Sequence, residues 1–276
     1  MRIRATVAAV SGALALSALA VPAAQAVTDS GAPYTLNASF SNVSIAKSIK
    51  VGTTSEVTVA YSYTLTHGST VNIAAKDFYT DAFLYHGTYS DTAPELYGDN
   101  PATCTATSST TATCKGSINI RPADGDLKNA WAGSWSVAAE AVAFNGQDQQ
   151  NPDMSKVGFK DQSGLGTSLV QRNSKLTTTV SSTSVYKGKS VTVSGKLTRA
   201  DWEHHTYNNF GGQPVKLQFR KAGTSTYTTI KTVTTDSYGN VKTSATVNSS
   251  GYWRYSFAGV STTPAVSATG VYVGAK

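Results

Sequence analysis

Val57-Thr58-Val59-Ala60-Tyr61-Ser62-Tyr63-Thr64-Leu65 alternates in hydrophobicity with a period of two. A strand with that period lays one face on a core and the other in water, and Val, Thr and Tyr are strand formers. The same period recurs at 191–197 (VTVSGKL), 215–219 (VKLQF) and 252–257 (YWRYSF). Turn residues punctuate these runs at Asn145-Gly146, Lys187-Gly188, Gly211-Gly212, Tyr238-Gly239-Asn240 and Ser250-Gly251. Only 138–144 (AAEAVAF) has a helix-like composition, and Asn145-Gly146 stops it after seven residues in the manner of a hairpin turn. The chain reads as all-β.

A weak internal repeat divides it. Val51-Gly52, Val57-Thr58-Val59 and Leu65-Thr66 recur as Lys187-Gly188, Val191-Thr192-Val193 and Leu197-Thr198. Gly133-Ser134-Trp135 recurs as Gly251-Tyr252-Trp253. Two β-sandwiches of related topology are therefore expected, 27–172 and 173–276, with a seam in the polar run Gln171-Arg172-Asn173-Ser174-Lys175. The second is of the usual sandwich size. Its expected core is Val191, Val193, Leu197, Val215, Leu217, Phe219, Ile230, Trp253 and Phe257.

Residues 1–26 stand outside this pattern. Arg2 and Arg4 precede a short, Ala-rich apolar run, and Pro22 and the triplet Ala24-Gln25-Ala26 follow it, as in a secretory signal peptide cleaved after Ala26. The run is too short and too weakly apolar for a membrane span, so the mature protein is expected to be secreted, extracellular and without one. Cleavage removes two arginines and no acid, and takes the formal charge from +7 to +5. In an oxidising compartment Cys104 and Cys114 are expected to pair, since their spacing fits neither a zinc site nor a CxxC motif. A loop of that size stabilises by roughly 2–3 kcal/mol.

The second half carries a resemblance. Residues 185–197 (VYKGKSVTVSGKL), 213–220 (QPVKLQFR), 234–240 (TTDSYGN) and 251–259 (GYWRYSFAG) are similar to bacterial immunoglobulin-like modules of secreted actinobacterial proteins. The whole chain resembles a group of streptomycete secreted proteins, some labelled calcium-binding. The resemblance implies two tandem immunoglobulin-like sandwiches and carries over no functional residue, because its motifs are turns and core strands. The cysteines also depart from the Cys–Trp–Cys arrangement of antibody domains.

At 14% charged residues, 23 Gly, 8 Pro and two Cys, the composition excludes a disordered chain, a coiled coil, a collagen and a disulfide-dense miniprotein. No G-x-S-x-G elbow and no H-E-x-x-H pair is present. The densest ionisable cluster is Asp201-Trp202-Glu203-His204-His205, with Tyr207 nearby; it has the chemistry to hold a sugar or a divalent metal, or to be simply a polar loop. Asp124-Gly125-Asp126 offers two carboxylates at the alternation calcium uses before Leu127 interrupts it, and Asp91, Glu95, Asp99 and Asn100 crowd another loop. Acidic residues in turns are commonly Asx-turn formers, so no cofactor is expected, and calcium is the one ion these loops could suggest. Basic residues are scattered, with no run longer than Arg220-Lys221, so the charge reads as a solubility property and nucleic acid is not an expected partner. The tyrosines between 79 and 97 read as rings packed along a sheet.

The expected function is non-catalytic binding through loops of an immunoglobulin-like scaffold, to a cell-wall polysaccharide or an extracellular protein. Two alternatives stand beside it: an extracellular hydrolase or protease inhibitor with an unfamiliar site in the first domain, and a structural, calcium-binding wall or matrix component.

Overall fold

The computed structural model describes residues 31–276; the expected signal peptide at 1–26 lies outside the described residues. Among those residues there is no α-helix, and no helix is long and apolar enough to cross a membrane. The strands of four or more residues begin with β1 (Ala38–Ile45), β2 (Ser48–Val51), β3 (Val57–His67), β4 (Phe78–Tyr85) and β5 (Thr103–Ala106). They continue with β6 (Thr111–Ile120), β7 (Gly133–Ala143), β8 (Gly158–Gln162), β9 (Thr167–Arg172), β10 (Ser190–Asp201) and β11 (Thr206–Asn209). The last are β12 (Pro214–Lys221), β13 (Thr228–Thr234), β14 (Asn240–Thr246), β15 (Gly251–Phe257) and β16 (Val271–Ala275).

Two compact units are present. The first holds described residues up to 47, with Thr58–Ile120 and Trp135–Ser168; the second holds Ser48–Val57, Arg121–Ser134 and Leu169–Lys276. The second unit thus takes two segments from the first half of the chain.

In the first unit, β1, β3, β6 and β5 form one sheet in that order. A second sheet is centred on β7, which pairs antiparallel with β4 on one side and β8 on the other. The alternation in β3 sorts as expected: Val59, Tyr61, Tyr63 and Leu65 are buried between exposed or half-buried neighbours. The helix-like run is the second half of strand β7 with Phe144 just beyond its end, and it is buried on both faces. One face packs inward, while the other is covered by two apolar clusters, Val142, Phe144, Met154 and Val157 in one and Phe83, Tyr85 and Ala138 in the other. Tyr97 stacks on Phe83 at 4.4 Å and Tyr89 meets Tyr85 edge-on, so the Tyr-rich stretch does pack along a sheet. Cys104 and Cys114 are directly paired across the β5–β6 hairpin and form the expected disulfide.

In the second unit, β10 pairs antiparallel with β11 and β14, and a second sheet runs β16-β15-β12-β13. Their inner faces share one core, including Val191, Val193, Leu197, Val241, Val215, Leu217, Trp253, Tyr255 and Phe257. The buried Tyr255 hydroxyl donates to the Val193 carbonyl across the sandwich at 2.9 Å. Ile230 does not belong to this core: it is 51% exposed. The β12–β13 register shifts between Leu217 and Gln218, so Ile230 is the extra residue of a β-bulge on an edge strand. Beside the sandwich, β2 runs parallel to β9, with Val51 opposite Arg172.

Candidate functional site

Asp201, Trp202, Glu203, His204, His205 and Tyr207 come together where β10 turns into β11, but the most distinctive of them are occupied by structure. The Asp201 carboxylate accepts five hydrogen bonds: from Asn129 Nδ2 at 2.8 Å, the amides of Glu203 and His204, the His204 ring and Asn208 Nδ2. A carboxylate has about four lone-pair sites, so this one has none left for a ligand. Burial pushes the Asp201 carboxyl up, yet the bonds from Asn129 and His204 outweigh it and hold the group well below the usual carboxylate range.

Trp202 is not an exposed ring but a 1% exposed one, with its amide donating to Asn129 Oδ1 and its indole N–H to the Val51 carbonyl at 3.3 Å. Half-buried Tyr207 accepts from Asn173 Nδ2 at its hydroxyl and has Lys175 Nζ 3.7 Å from its ring centre. His205, in the left-handed region at φ 54°, is fixed by a hydrogen bond from Nε2 to the Pro122 carbonyl. Glu203 and His204 keep exposed side chains. The cluster is a hairpin-end anchor.

The Asp124–Asp126 loop is likewise closed on itself. A 3-10 turn at Pro122–Asp124 ends at Gly125 with φ 83°, and the Asp126 carboxylate accepts the Arg121 amide at 2.8 Å, leaving Asp124 exposed. Among the described residues no three of His, Cys, Asp and Glu are grouped so as to hold a metal ion.

The surface that stands out is the outer face of the β16-β15-β12-β13 sheet. On β15, Trp253, Tyr255 and Phe257 point inward, which sends Tyr252, Arg254 and Ser256 outward. Register then sets Tyr252 opposite both Arg220 of β12 and Tyr272 of β16, and Arg254 opposite Gln218. The Arg220 guanidinium lies 4.1 Å from the Tyr252 ring centre, and the Arg254 guanidinium lies 3.7 Å from that of Tyr227, just before β13. Gln218 Oε1 accepts from Arg254 Nε at 2.9 Å, and the Thr224 carbonyl accepts from Arg220 Nη1. Tyr272, 44% exposed, meets Tyr252 edge-on at 5.3 Å.

Gly270 makes the packing possible, because a Cβ there would fall 2.1 Å from the Tyr227 hydroxyl. The result is a row of interleaved tyrosines and arginines in which each guanidinium carbon lies about 4 Å from a ring centre, within cation–π range. The alternation of 252–257 was the available signal for Tyr252 and Arg254. Arg220, Tyr227 and Tyr272 join only through register.

The charge around this row is one-sided. Between His205 and Lys276 there are seven Lys or Arg and a single acid, Asp236. None of β12, β13, β15 or β16 contains an Asp or Glu, and among the described residues neither Arg220 nor Arg254 has a carboxylate partner.

A second arrangement, one that no local sequence pattern marks, lies in the first unit. Asp81 of β4, Glu140 of β7 and Asp161 of β8 are directly opposite one another across three strands. Asp81 and Glu140 are buried. Asp81 accepts from the Tyr61 hydroxyl at 3.0 Å and the Ala102 amide at 2.9 Å, and Asp161 accepts from the Tyr89 hydroxyl at 2.6 Å. Burial raises the Asp81 carboxyl to about 7 against the lowering effect of those two donors.

No family model matches the chain, and no curated protein matches it. Solved structures do. The D0–D1 domain of intimin is 16% identical with a TM-score of 0.26, over 85% of this chain and 98% of that one. Fibronectin(III)-like modules of Clostridium thermocellum CbhA are 13% identical at 0.27, over 84% and 94%. Titin domains I67–I69 are 9% identical at 0.33, over 87% and 66%. The likeness is one of fold class alone.

Proposed function

We propose that this is a secreted, non-catalytic binding protein and that its contact surface is the outer face of the β16-β15-β12-β13 sheet. The observation that carries the reading is the row Tyr272–Tyr252–Arg220–Tyr227–Arg254, five large side chains brought together by strand register, with Tyr272 exposed and the other four half-buried. Tyrosine and arginine are the residues that concentrate binding energy at contact surfaces, and rings already fixed on a sheet lose little entropy on binding. This moves the expected binding activity from the Asp201–Tyr207 cluster to a sheet face, because Asp201, Trp202 and Tyr207 are already engaged within the protein.

The test is retention. The mature chain, Val27–Lys276, is passed over isolated cell wall, soluble polysaccharides and immobilised culture-supernatant proteins. Wild type is expected to be retained by at least one material, and Tyr252→Ala/Tyr272→Ala to be released from it with its thermal midpoint little changed. Retention by none of them, or equal retention of the variant, would contradict the reading.

A further inference from the structure

The chemistry of the face narrows the ligand. We infer, building on the binding reading above, that the Arg220–Arg254 face is a site for an acidic polysaccharide whose charges are carboxylates on its sugar rings. Two guanidiniums, each lying on a tyrosine ring and without a carboxylate partner among the described residues, are the dominant polar groups of the surface. A guanidinium presents its N–H groups as a rigid planar fork, the geometry that takes a planar carboxylate in two parallel hydrogen bonds. One N–H of Arg254 goes to Gln218 and one of Arg220 to Thr224, which leaves the other donors of each.

Register puts Arg220 and Arg254 on neighbouring strands two residues apart along the pairing, so they are diagonal neighbours about 7–8 Å apart at Cα. Charges repeated along a polymer engage both. Lys216 extends the cationic surface along β12, and the four strands contribute no acid to oppose a polyanion. The exposed ring of Tyr272 is the surface available for the apolar face of a sugar.

The same geometry argues against two other ligands. A neutral glycan is gripped by bare ring faces, yet here one face of Tyr227 and one of Tyr252 are taken by guanidinium groups. Single-stranded nucleic acid is bound by successive rings on which bases stack, and this surface leaves one such ring, Tyr272.

The test titrates the mature chain with polygalacturonate, a neutral β-glucan, a poly(glycerol phosphate) chain and single-stranded DNA at one fixed ionic strength. Polygalacturonate is expected to bind at least tenfold more tightly than the other three, and to weaken with salt. Arg220→Gln/Arg254→Gln should lose at least tenfold, whereas Lys187→Gln/Lys189→Gln, which removes the same charge elsewhere, should lose less than twofold. Arg220→Lys/Arg254→Lys keeps the charge without the fork and should lose about fivefold; a wild-type affinity in that variant would overturn the proposal.

Equal loss in the arginine-to-glutamine and lysine-to-glutamine variants would overturn it too, as would preference for DNA, phosphate polymer or neutral glucan. If polygalacturonate fails while Tyr252→Ala/Tyr272→Ala still releases the protein from another material, this inference fails alone. If that variant changes nothing, the binding reading fails with it.

Discussion

Asp81 is the residue whose surroundings most sharply predict a measurable property. Its carboxyl is buried, takes hydrogen bonds from the Tyr61 hydroxyl and the Ala102 amide, and faces Glu140 on the neighbouring strand. A folded-state value near 7, against 3.8 for the free group, means the folded chain holds this proton more tightly than the unfolded chain. The contribution is therefore complete below pH 4 and is lost as pH rises to about 7, a total of roughly 4 kcal/mol. Urea melts between pH 4 and pH 8 should show wild type losing stability with pH relative to Asp81→Asn, whose amide cannot ionise. Parallel curves for the two proteins would contradict this account of Asp81. No periodicity announces the feature. It arises because β4, β7 and β8 bring Asp81, Glu140 and Asp161 into one row, and that register is set by pairing over tens of residues.

At the scale of elements, the β10–β11 hairpin end separates what was legible from what was not. The period-two runs that became β3, β10, β12 and β15 were readable because the inward and outward faces of a sheet differ in solvent. Trp202 was not, since its burial depends on Val51 and Asn129, far away in the chain, and a side chain covered by a remote segment leaves no local period. The run AAEAVAF was ambiguous for a related reason: burial on both faces erases the alternation that identifies a strand. Ile230 misled because a bulge breaks the alternation it belonged to.

The hairpin end also yields a direct test. Asn129 donates to Asp201 and accepts the Trp202 amide, so Asn129→Ala leaves a buried carboxylate short of a donor and a buried amide unpaired. The expected cost is about 2 kcal/mol in a denaturant melt followed by tryptophan fluorescence. A change below 0.5 kcal/mol would mean the loop is ordered by other contacts.

Over the molecule as a whole there are two β units, and the distinctive surface of the second is a cationic, tyrosine-lined sheet face. Net charge alone read as a solubility property. The fold changes that reading by putting Arg220, Arg254 and Lys216 on one face, in a stretch with a single acid. Hydroxyl-radical footprinting of the mature chain, free and bound to the material that retains it, tests this most directly. Tyr227, Tyr252 and Tyr272 are predicted to be protected at least threefold. Tyr186 and Tyr238, exposed in turns of the same unit, serve as internal references and should react as before. Protection centred instead on 201–209, or spread evenly over all five tyrosines, would contradict the assignment of the binding face.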